Sequence, residues 1–432
     1  MTKTKRAGAN ISAAASTRRY IENGIRHVCE TYRERLPGSR AERDAQAYFK
    51  GELEGYADEV LMEDFTLHPR AFMGFFNIAA GGMLLATPLY FLSRGSVPLA
   101  AAGLALNIVT VLVFLFEYLF YWEFTDFLYP KKTSRNVYAV RRPSGEVRRR
   151  IIFGGHTDAA NEWTYSWLAE GAGVAAAIGS AVLAMIISLL AATCNVVYTV
   201  AANAYGYTAF ASKWQGGWLA WSVLLLICVV PGVAIIFFIN YRVVVDGAND
   251  NLSANYIAMS VLKEMREGGV RFGNTEVGCL ITGSEEAGLR GAKAFAKRHK
   301  AQLSDPNVET VFIALDTMRE IEELRVCNFG CTGTVYNDKA VGDLLHDAGR
   351  ACGVDIPDTE WYPGALDSEA FTMYGLRASG FTGVSHDAKR YYHTRQDTAD
   401  NMDNGCLALS LNICKEAARI FDKEGMAKYD AV

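Results

Sequence analysis

The sequence predicts an α/β domain, with a mixed, mostly parallel sheet flanked by helices, plus four transmembrane α-helices in two inserted hairpins. Three observations predict this architecture. Apolar or β-branched runs alternate with amphipathic stretches, as strands alternate with helices in α/β proteins. Four long runs without a charged side chain interrupt that alternation. Acidic and imidazole residues follow several strand-like runs, and open α/β sheets carry their active sites at the carboxyl ends of strands.

Strand-like and helix-like segments alternate along the polar parts of the chain. The predicted strands lie at residues 58–66, 134–142, 148–155, 241–247, 275–283 and 308–315. The predicted helices lie at residues 17–32, 39–56, 252–267, 288–300, 339–353 and 404–424. Because most strands are separated by a helix, the pattern favours a largely parallel sheet with helices on both faces.

Four stretches without any charged side chain are each long enough to cross a membrane. They span residues 71–93, 95–116, 171–212 and 214–241. A bilayer core of ~30 Å needs about 20 apolar residues in a helix, whereas buried helices of soluble proteins rarely go so long without a charge. We therefore predict transmembrane hairpins at residues 70–129 and 161–243. Segments 1–69, 130–160 and 244–432 then form one discontinuous domain.

Each hairpin enters and leaves the bilayer on the same side, so the discontinuous domain lies on one face of the membrane. Basic residues near span ends mark the cytoplasmic face. The domain side has Arg70, Lys131, Lys132, Arg135 and Arg242, against Arg94 and Lys213 on the other side. Residues 1–16 form a basic tail without the apolar core of a signal peptide. We expect a multi-pass integral membrane protein whose discontinuous domain faces the cytoplasm.

Charge and cysteine content exclude some classes of protein. The formal net charge is −4 and the pI is about 6.0, so no nucleic-acid partner is expected. The nine cysteines are odd in number and irregularly spaced, which argues against a disulfide framework. The oligomeric state stays open.

Six acidic and imidazole side chains form the candidate site. They occur in the motifs GGHTDA, GANDN, GSEEAG, ALDTM and YYHTRQDT, as His156, Asp250, Glu285, Glu286, Asp316 and His393. Two imidazoles and several carboxylates suit a pair of hydrolytic zinc ions, and cobalt or manganese could take the same ligands. Each residue alone also has an ordinary interpretation: Asp250 could cap the helix that follows it, and Glu285 and Glu286 could favour the start of another helix.

The motif order HTD, GANDN, SEE, LD and YHTxxDT resembles that of the di-zinc aminopeptidases of the bacterial leucyl aminopeptidase and aminopeptidase Y type, to which glutamate carboxypeptidase II is related. The resemblance implies a zinc-exopeptidase fold of the phosphorylase/hydrolase type. It makes His156 and Asp316 ligands of one zinc, Glu286 and His393 ligands of the other, and Asp250 the bridge. Glu285 becomes the general base, and Asp158 a partner of His156.

The chemistry needs the same residue types independently of the family. Two zinc ions ~3.5–4 Å apart can clamp a hydrolytic water and polarise a scissile carbonyl. Zinc lowers the pKa of bound water to about 7, and a nearby carboxylate such as Glu285 must relay the released proton. Asp158 could fix the tautomer of His156, and Asp397 could support the loop that carries His393.

Substrate contacts are predicted from weaker signals. The segment GALDSEAF resembles the substrate-side loop of the family, which implies substrate contacts for Asp367 or Ser368; Tyr392 could line the pocket. The family joins HTD to the bridging aspartate by a short segment, whereas here Ala159–Asn249 contains a whole hairpin. We therefore hypothesise an active site close to the bilayer, with Glu162, Trp163 and Trp167 near its rim, and peptide substrates presented at the membrane.

The predicted function is that of a membrane-anchored aminopeptidase that hydrolyses N-terminal residues of peptides. A carboxypeptidase or deacylase with the same metals is the alternative within the enzyme class. A glutaminyl cyclase shares the fold but works with a single zinc, and the complete ligand set argues against it. A catalytically inactive membrane scaffold should lack ligands, and a transporter should carry polar groups in its spans.

Overall fold

The chain divides into two compact units, each built from separate segments. The computed structural model describes residues 5–6, 15–330, 332–359, 364–385 and 391–430. One unit, the sheet unit, comprises Met1–Pro69, Pro130–Glu162 and Tyr241–Val432. The other, the helical unit, comprises Arg70–Tyr129 and Trp163–Asn240. Apart from residues 5–6 and 15–16, the predicted basic tail lies outside the described residues.

The described residues contain eleven strands: β1 (Lys5–Arg6), β2 (Glu59–Leu67), β3 (Lys132–Arg141), β4 (Arg149–His156), β5 (Asn161–Trp163), β6 (Ile239–Val244), β7 (Thr275–Thr282), β8 (Glu309–Asp316), β9 (Arg325–Cys327), β10 (Val354–Asp355) and β11 (Ala378–Thr382).

The α-helices of the described residues are α1 (Ala15–Thr31), α2 (Arg40–Leu53), α3 (Ala71–Leu92), α4 (Val97–Val113), α5 (Thr164–Tyr205), α6 (Tyr207–Ala234), α7 (Ser253–Glu267), α8 (Arg290–Leu303), α9 (Lys339–Ala351), α10 (Asp367–Met373), α11 (Asn404–Glu424) and α12 (Ala427–Asp430). Side chains cap several starts: the Ser39 hydroxyl accepts a hydrogen bond from the Glu42 backbone N–H, and the Asp403 carboxylate accepts from two N–H groups of α11.

A seven-stranded mixed sheet forms the centre of the sheet unit, in the order β2-β3-β7-β4-β8-β11-β9. The four central strands β7, β4, β8 and β11 are parallel to one another. Strands β2 and β3 at one edge and β9 at the other pair in antiparallel fashion. This confirms the predicted fold class, a mixed, mostly parallel sheet with helices around it.

Helices cover both faces of this sheet. On β4, Ile151 and Phe153 face the core formed with α1, α2, α7, α9 and α11, because alternate strand residues point the same way. On the opposite face, Phe312 of β8 stacks on Phe371 of α10, with ring centroids 3.9 Å apart. Tyr138 of β3 contacts Phe295 of α8 at 5.1 Å. Strands buried on both sides explain why their sequences read as continuous apolar runs.

One predicted strand of the main sheet is placed differently. The run at residues 241–247 becomes β6, but it pairs with β5 in a separate two-stranded sheet. Asp250 therefore does not follow a strand of the main sheet. It lies in the turn Ala248–Leu252, which leads into α7.

The helical unit contains four helices that are long and apolar enough to cross a membrane: Ala71–Leu92, Val97–Leu119, Thr164–Tyr205 and Phe210–Phe237. The second continues α4 through a π-helical turn, Phe114–Leu119. The third is interrupted at Ala169 and Glu170, whose backbone angles are not helical. Polar side chains join these helices, since the Asn195 amide donates to Ser93 Oγ at 2.6 Å and the Tyr90 hydroxyl donates to the Trp218 carbonyl at 3.2 Å.

Candidate metal centre

Three neighbouring parallel strands bring candidate ligands to one edge of the sheet. Strand β4 ends at His156, and β8 ends at Asp316. Strand β7 ends at Thr282, which is opposite His156 in the register, and Glu285 follows three residues later. Because the carboxyl ends of parallel strands meet at the same edge, residues far apart in sequence converge here.

Among the described residues, the candidate ligands form three triads that could hold a metal ion, and one of them contains His156, Glu285 and Glu286. The other two triads share Asp250. One contains His156, Asp250 and Asp316, and the other contains Asp250, Glu286 and His393, with the ligand atoms of each triad within 4.8 Å of one another. Asp250 Oδ1 is 3.1 Å from His156 Nε2, while Asp250 Oδ2 is 2.9 Å from His393 Nε2. The two oxygens of one carboxylate thus face the two triads, as a bridging ligand requires.

The turn that carries Glu285 and Glu286 directs their side chains to different imidazoles. Glu285 Oε2 lies 3.7 Å from His156 Nε2, and Glu286 Oε1 lies 3.3 Å from His393 Nε2. Ser284, just before them, has a φ of 55°, in the left-handed region that non-glycine residues seldom adopt. The Asp158 carboxylate accepts hydrogen bonds from the backbone N–H groups of Glu285 and Glu286, both at 3.0 Å.

Asp158 therefore has a second role beyond the one predicted for it. Its Oδ1 is 3.4 Å from His156 Nδ1, so it is placed to orient that imidazole. Its hydrogen bonds also hold the turn that carries Glu285. Asp397 donates its N–H to the Thr394 carbonyl at 2.9 Å, within the loop that it was predicted to support, and accepts from the N–H of Asn249 at 2.7 Å and of Asp250 at 3.1 Å. It thus also supports the candidate bridging residue.

Burial and mutual repulsion perturb the carboxylates of the site. Burial raises the pKa of Glu286 to about 8, and burial together with neighbouring carboxylates raises the pKa of Glu285 well above its ordinary value. Burial alone would lower the pKa of His393, but Glu286 and Asp250 raise it to about 9. Burial opposes ionisation of Asp250 too, yet its contacts with His156 and His393 lower its pKa.

This group of side chains fits a divalent cation. Asp250, Glu285, Glu286 and Asp316 place four carboxylates beside two imidazoles in a buried region, which leaves excess negative charge that needs compensation. Within the described part of the chain, His156 Nε2 and Glu286 Oε1 are buried without a well-aligned hydrogen bond. Imidazole nitrogens and carboxylate oxygens are ligands that zinc accepts. The described residues therefore include groups that could hold a metal ion.

The predicted substrate residues are placed in three different ways. Asp367, at the start of α10, accepts a hydrogen bond from the Thr282 hydroxyl, and its buried Oδ1 has no hydrogen-bond partner among the described residues. Burial raises the pKa of Asp367 to about 6. The Tyr392 ring lies 4.3 Å from that of His393. Ser368 is fully buried, and its hydroxyl accepts a hydrogen bond from the Asn337 amide.

Two buried N-terminal residues that support the site were not predicted. Glu42 on α2 accepts hydrogen bonds from the Ser284 N–H at 2.6 Å, the Ser284 hydroxyl at 2.8 Å and the Gly38 N–H at 2.7 Å. The Arg35 guanidinium donates to the carbonyls of Thr157 at 3.0 Å and Asp246 at 2.6 Å. The spacing Ser39-x-x-Glu42 suggests a capping box, so the sequence offered only a helix-capping role for Glu42.

Replacing Glu42 by alanine is expected to loosen the turn that carries Glu285. The buried Ser284 N–H loses its acceptor, which should cost about 1–3 kcal/mol of unfolding free energy. The rate should fall roughly 10–100-fold, as for other residues that orient a metal site. Denaturant unfolding and kcat measure the two effects. Asp44→Ala, on the exposed face of the same helix, is the control and should change stability by less than about 0.5 kcal/mol. A wild-type kcat for Glu42→Ala would contradict this role.

Comparison with known proteins agrees with this geometry. Residues 234–418 match the sequence model of peptidase family M28. The match contains Asp250, Glu285, Glu286, Asp316 and His393. His156 and Asp158 precede it. No curated protein matches the sequence.

Several solved structures share the fold at low sequence identity. An aminopeptidase from Aneurinibacillus sp. strain AM-1 is 14% identical with a TM-score of 0.52, over 94% of this chain and 93% of that chain. A glutaminyl cyclase from an Acidobacteriales bacterium is 12% identical with a TM-score of 0.51, over 98% of this chain and 100% of that chain. A glutaminyl cyclase from Fimbriiglobus ruber is 14% identical with a TM-score of 0.51, over 96% and 99%. Residues 234–418 thus resemble peptidase family M28 in sequence, and the chain shares the fold of these aminopeptidase and glutaminyl cyclase structures.

Proposed function

We propose that this protein is a membrane-anchored di-zinc aminopeptidase that removes N-terminal residues from peptides. The family match supports a metallopeptidase. The observation that carries the proposal of a two-zinc centre is the pair of triads joined through the two oxygens of Asp250. Each triad supplies three ligands, the number that catalytic zinc sites take from the protein.

In this proposal His156 and Asp316 would hold one zinc and Glu286 and His393 the other, and Asp250, which belongs to both triads, would contribute to both sites. The ions would supply Lewis acidity that polarises the scissile carbonyl and acidifies the attacking water. Glu285 would accept a proton from the attacking water as the water oxygen bonds to the carbonyl carbon, and would donate it to the amine nitrogen as the carbon–nitrogen bond breaks. Glu285 Oε2 lies 3.7 Å from His156 Nε2, which places the carboxylate beside the proposed metal ligands.

Recognition of the free substrate amine is assigned to a carboxylate near the metals. Asp367 is buried in the same region and keeps one oxygen without a hydrogen-bond partner among the described residues. A substrate ammonium would satisfy that oxygen, which favours the amino end of a peptide over its carboxyl end. We also propose that Tyr392 and Ser368 lie near the bound substrate.

Activity toward a peptide panel tests the proposal. The full-length protein, purified in detergent, is assayed for zinc content and for hydrolysis of peptides with free or acetylated amino ends. Two zinc ions per chain and turnover only of free amino ends are the expected result. Turnover of blocked or acylated substrates would instead indicate a carboxypeptidase or deacylase. Cyclisation of N-terminal glutamine without peptide cleavage would indicate a glutaminyl cyclase.

Membrane anchoring and orientation are tested separately. We propose that the four apolar helices cross the bilayer and that the sheet unit faces the cytoplasm, because basic residues are more frequent near the span ends that adjoin it. The protein should stay with membranes after an alkaline wash and dissolve only in detergent. A reporter inserted between Arg94 and Ser96 should then report the side opposite the cytoplasm. The substrates would include peptides presented at the membrane, since the chain enters the second hairpin at Trp163, only seven residues after His156.

A further inference from the structure

The second hairpin interrupts the chain between two candidate metal ligands. One segment of the sheet unit ends at Glu162 and the next begins at Tyr241. His156 therefore lies before the interruption at residues 163–240, and Asp250 lies after it. Hydrogen bonds join the two segments of the sheet unit on either side of this interruption. The Val245 N–H donates to the Ala160 carbonyl at 3.1 Å, and the Asn161 amide donates to the Val243 carbonyl at 3.3 Å.

The segment 393–397 contacts the chain on both sides of the interruption. Before it, Arg395 donates to the Glu162 carboxylate from its backbone N–H at 3.2 Å, from Nε at 2.7 Å and from Nη2 at 2.6 Å. After it, Asp397 accepts from the backbone N–H groups of Asn249 and Asp250. His393 therefore sits two residues from one attachment and four residues from the other.

The contact between Arg395 and Glu162 constrains the relative position of the two side chains. The Glu162 side chain is only 1% exposed, and a buried carboxylate is costly unless it is paired. The planar guanidinium of Arg395 meets both of its oxygens, a bidentate arrangement that fixes orientation as well as distance. His393 has a φ of 52°, and a residue keeps such a backbone conformation only where its surroundings impose it.

We propose that Glu162 and Arg395 are positioning residues, which hold His393 as a ligand of the second metal ion. Neither residue belongs to a triad, and the pair lies at the point where the chain enters the second hairpin. The proposal rests on the two-metal function proposed above. Loss of the ion pair should weaken metal binding at the site of Asp250, Glu286 and His393. Metal binding at the site of His156 and Asp316 should stay unchanged.

Zinc titration of the metal-free, full-length protein in detergent tests this selectivity. Glu162→Gln removes the charge at nearly constant shape. The double variant Glu162→Gln/Arg395→Met removes both charges of the ion pair and serves as a second test if the single variant folds poorly. We expect the Kd of the zinc at the site of Asp250, Glu286 and His393 to rise about 10-fold or more, and that of the other zinc to stay within about twofold. Glu286→Gln, which removes a ligand of the second site, identifies which zinc remains.

Arg419→Ala is the matched control, because Arg419 forms an exposed ion pair with Glu416 on α11 and should leave both zinc sites unchanged. Two zinc ions bound with wild-type affinity in both Glu162 variants would overturn the inference. Equal weakening of both ions would overturn it as well, because it would indicate a general structural role. A wild-type protein that binds fewer than two zinc ions would refute the proposed function itself.

Discussion

Glu285→Gln is expected to lower kcat by about 10²–10⁴-fold, the contribution typical of a general base. Glutamine keeps the size of the side chain and the backbone hydrogen bond to Asp158, so the turn should stay in place. The amide cannot accept the proton of the attacking water. Zinc content should stay at two ions per chain, because in our proposal the triads that share Asp250 hold the ions and the triad of His156, Glu285 and Glu286 does not.

Glu286→Gln provides the matched control for this prediction. The two residues are neighbours on the same turn, and both donate a backbone N–H to Asp158. In our proposal Glu286 is a ligand, so its replacement should reduce zinc content as well as rate. Measured side by side, metal content and kcat separate the two roles. Zinc loss in Glu285→Gln, or wild-type turnover by it, would remove Glu285 as the base.

Asp250→Asn is expected to abolish binding of the metal pair. Asp250 is the member common to both triads, and each of its oxygens faces a different imidazole. An amide offers one oxygen and no charge, so it cannot bridge two cations. We expect zinc affinity to fall by more than about 100-fold, beyond the loss seen when only a supporting partner of a ligand is changed. Turnover should fall to background.

Calorimetric zinc titration and metal analysis measure this effect. Asp400→Asn is a suitable control, because Asp400 is 81% exposed and pairs only with Arg26 among the ion pairs described. It should bind zinc as the wild type does. Retention of two tightly bound ions by Asp250→Asn would show that the two triads do not act as one centre.

Elements with a strong local pattern agree with their prediction from sequence. The helix predicted at residues 404–424 is α11, Asn404–Glu424, and the first apolar run corresponds to α3, Ala71–Leu92. Both carry their signal within one segment: an amphipathic period in the first case, and a long absence of charge in the second. Each would be recognised whatever it packed against.

Elements that depend on distant partners were missed or misplaced. Strand β11 was not predicted, although it lies inside the parallel part of the sheet, between β8 and β9. Its five residues, ASGFT, are mostly small and lack the β-branched run that marks a strand. Pairing with β8 stabilises it instead. Strand β6 was predicted for the main sheet because its sequence resembles the others, and only the tertiary structure shows that it pairs with β5.

The candidate site shows the same division. The residue types and their order could be read from the chain without a structure, because ligands must be imidazoles or carboxylates and each stands in a short motif. The tertiary structure decided that Asp250 faces both imidazoles, and that Glu42 supports a turn 242 residues away. It also decided that Arg395 meets Glu162. These are contacts between distant parts of the chain, set by the packing of the whole domain, and no local pattern encodes them.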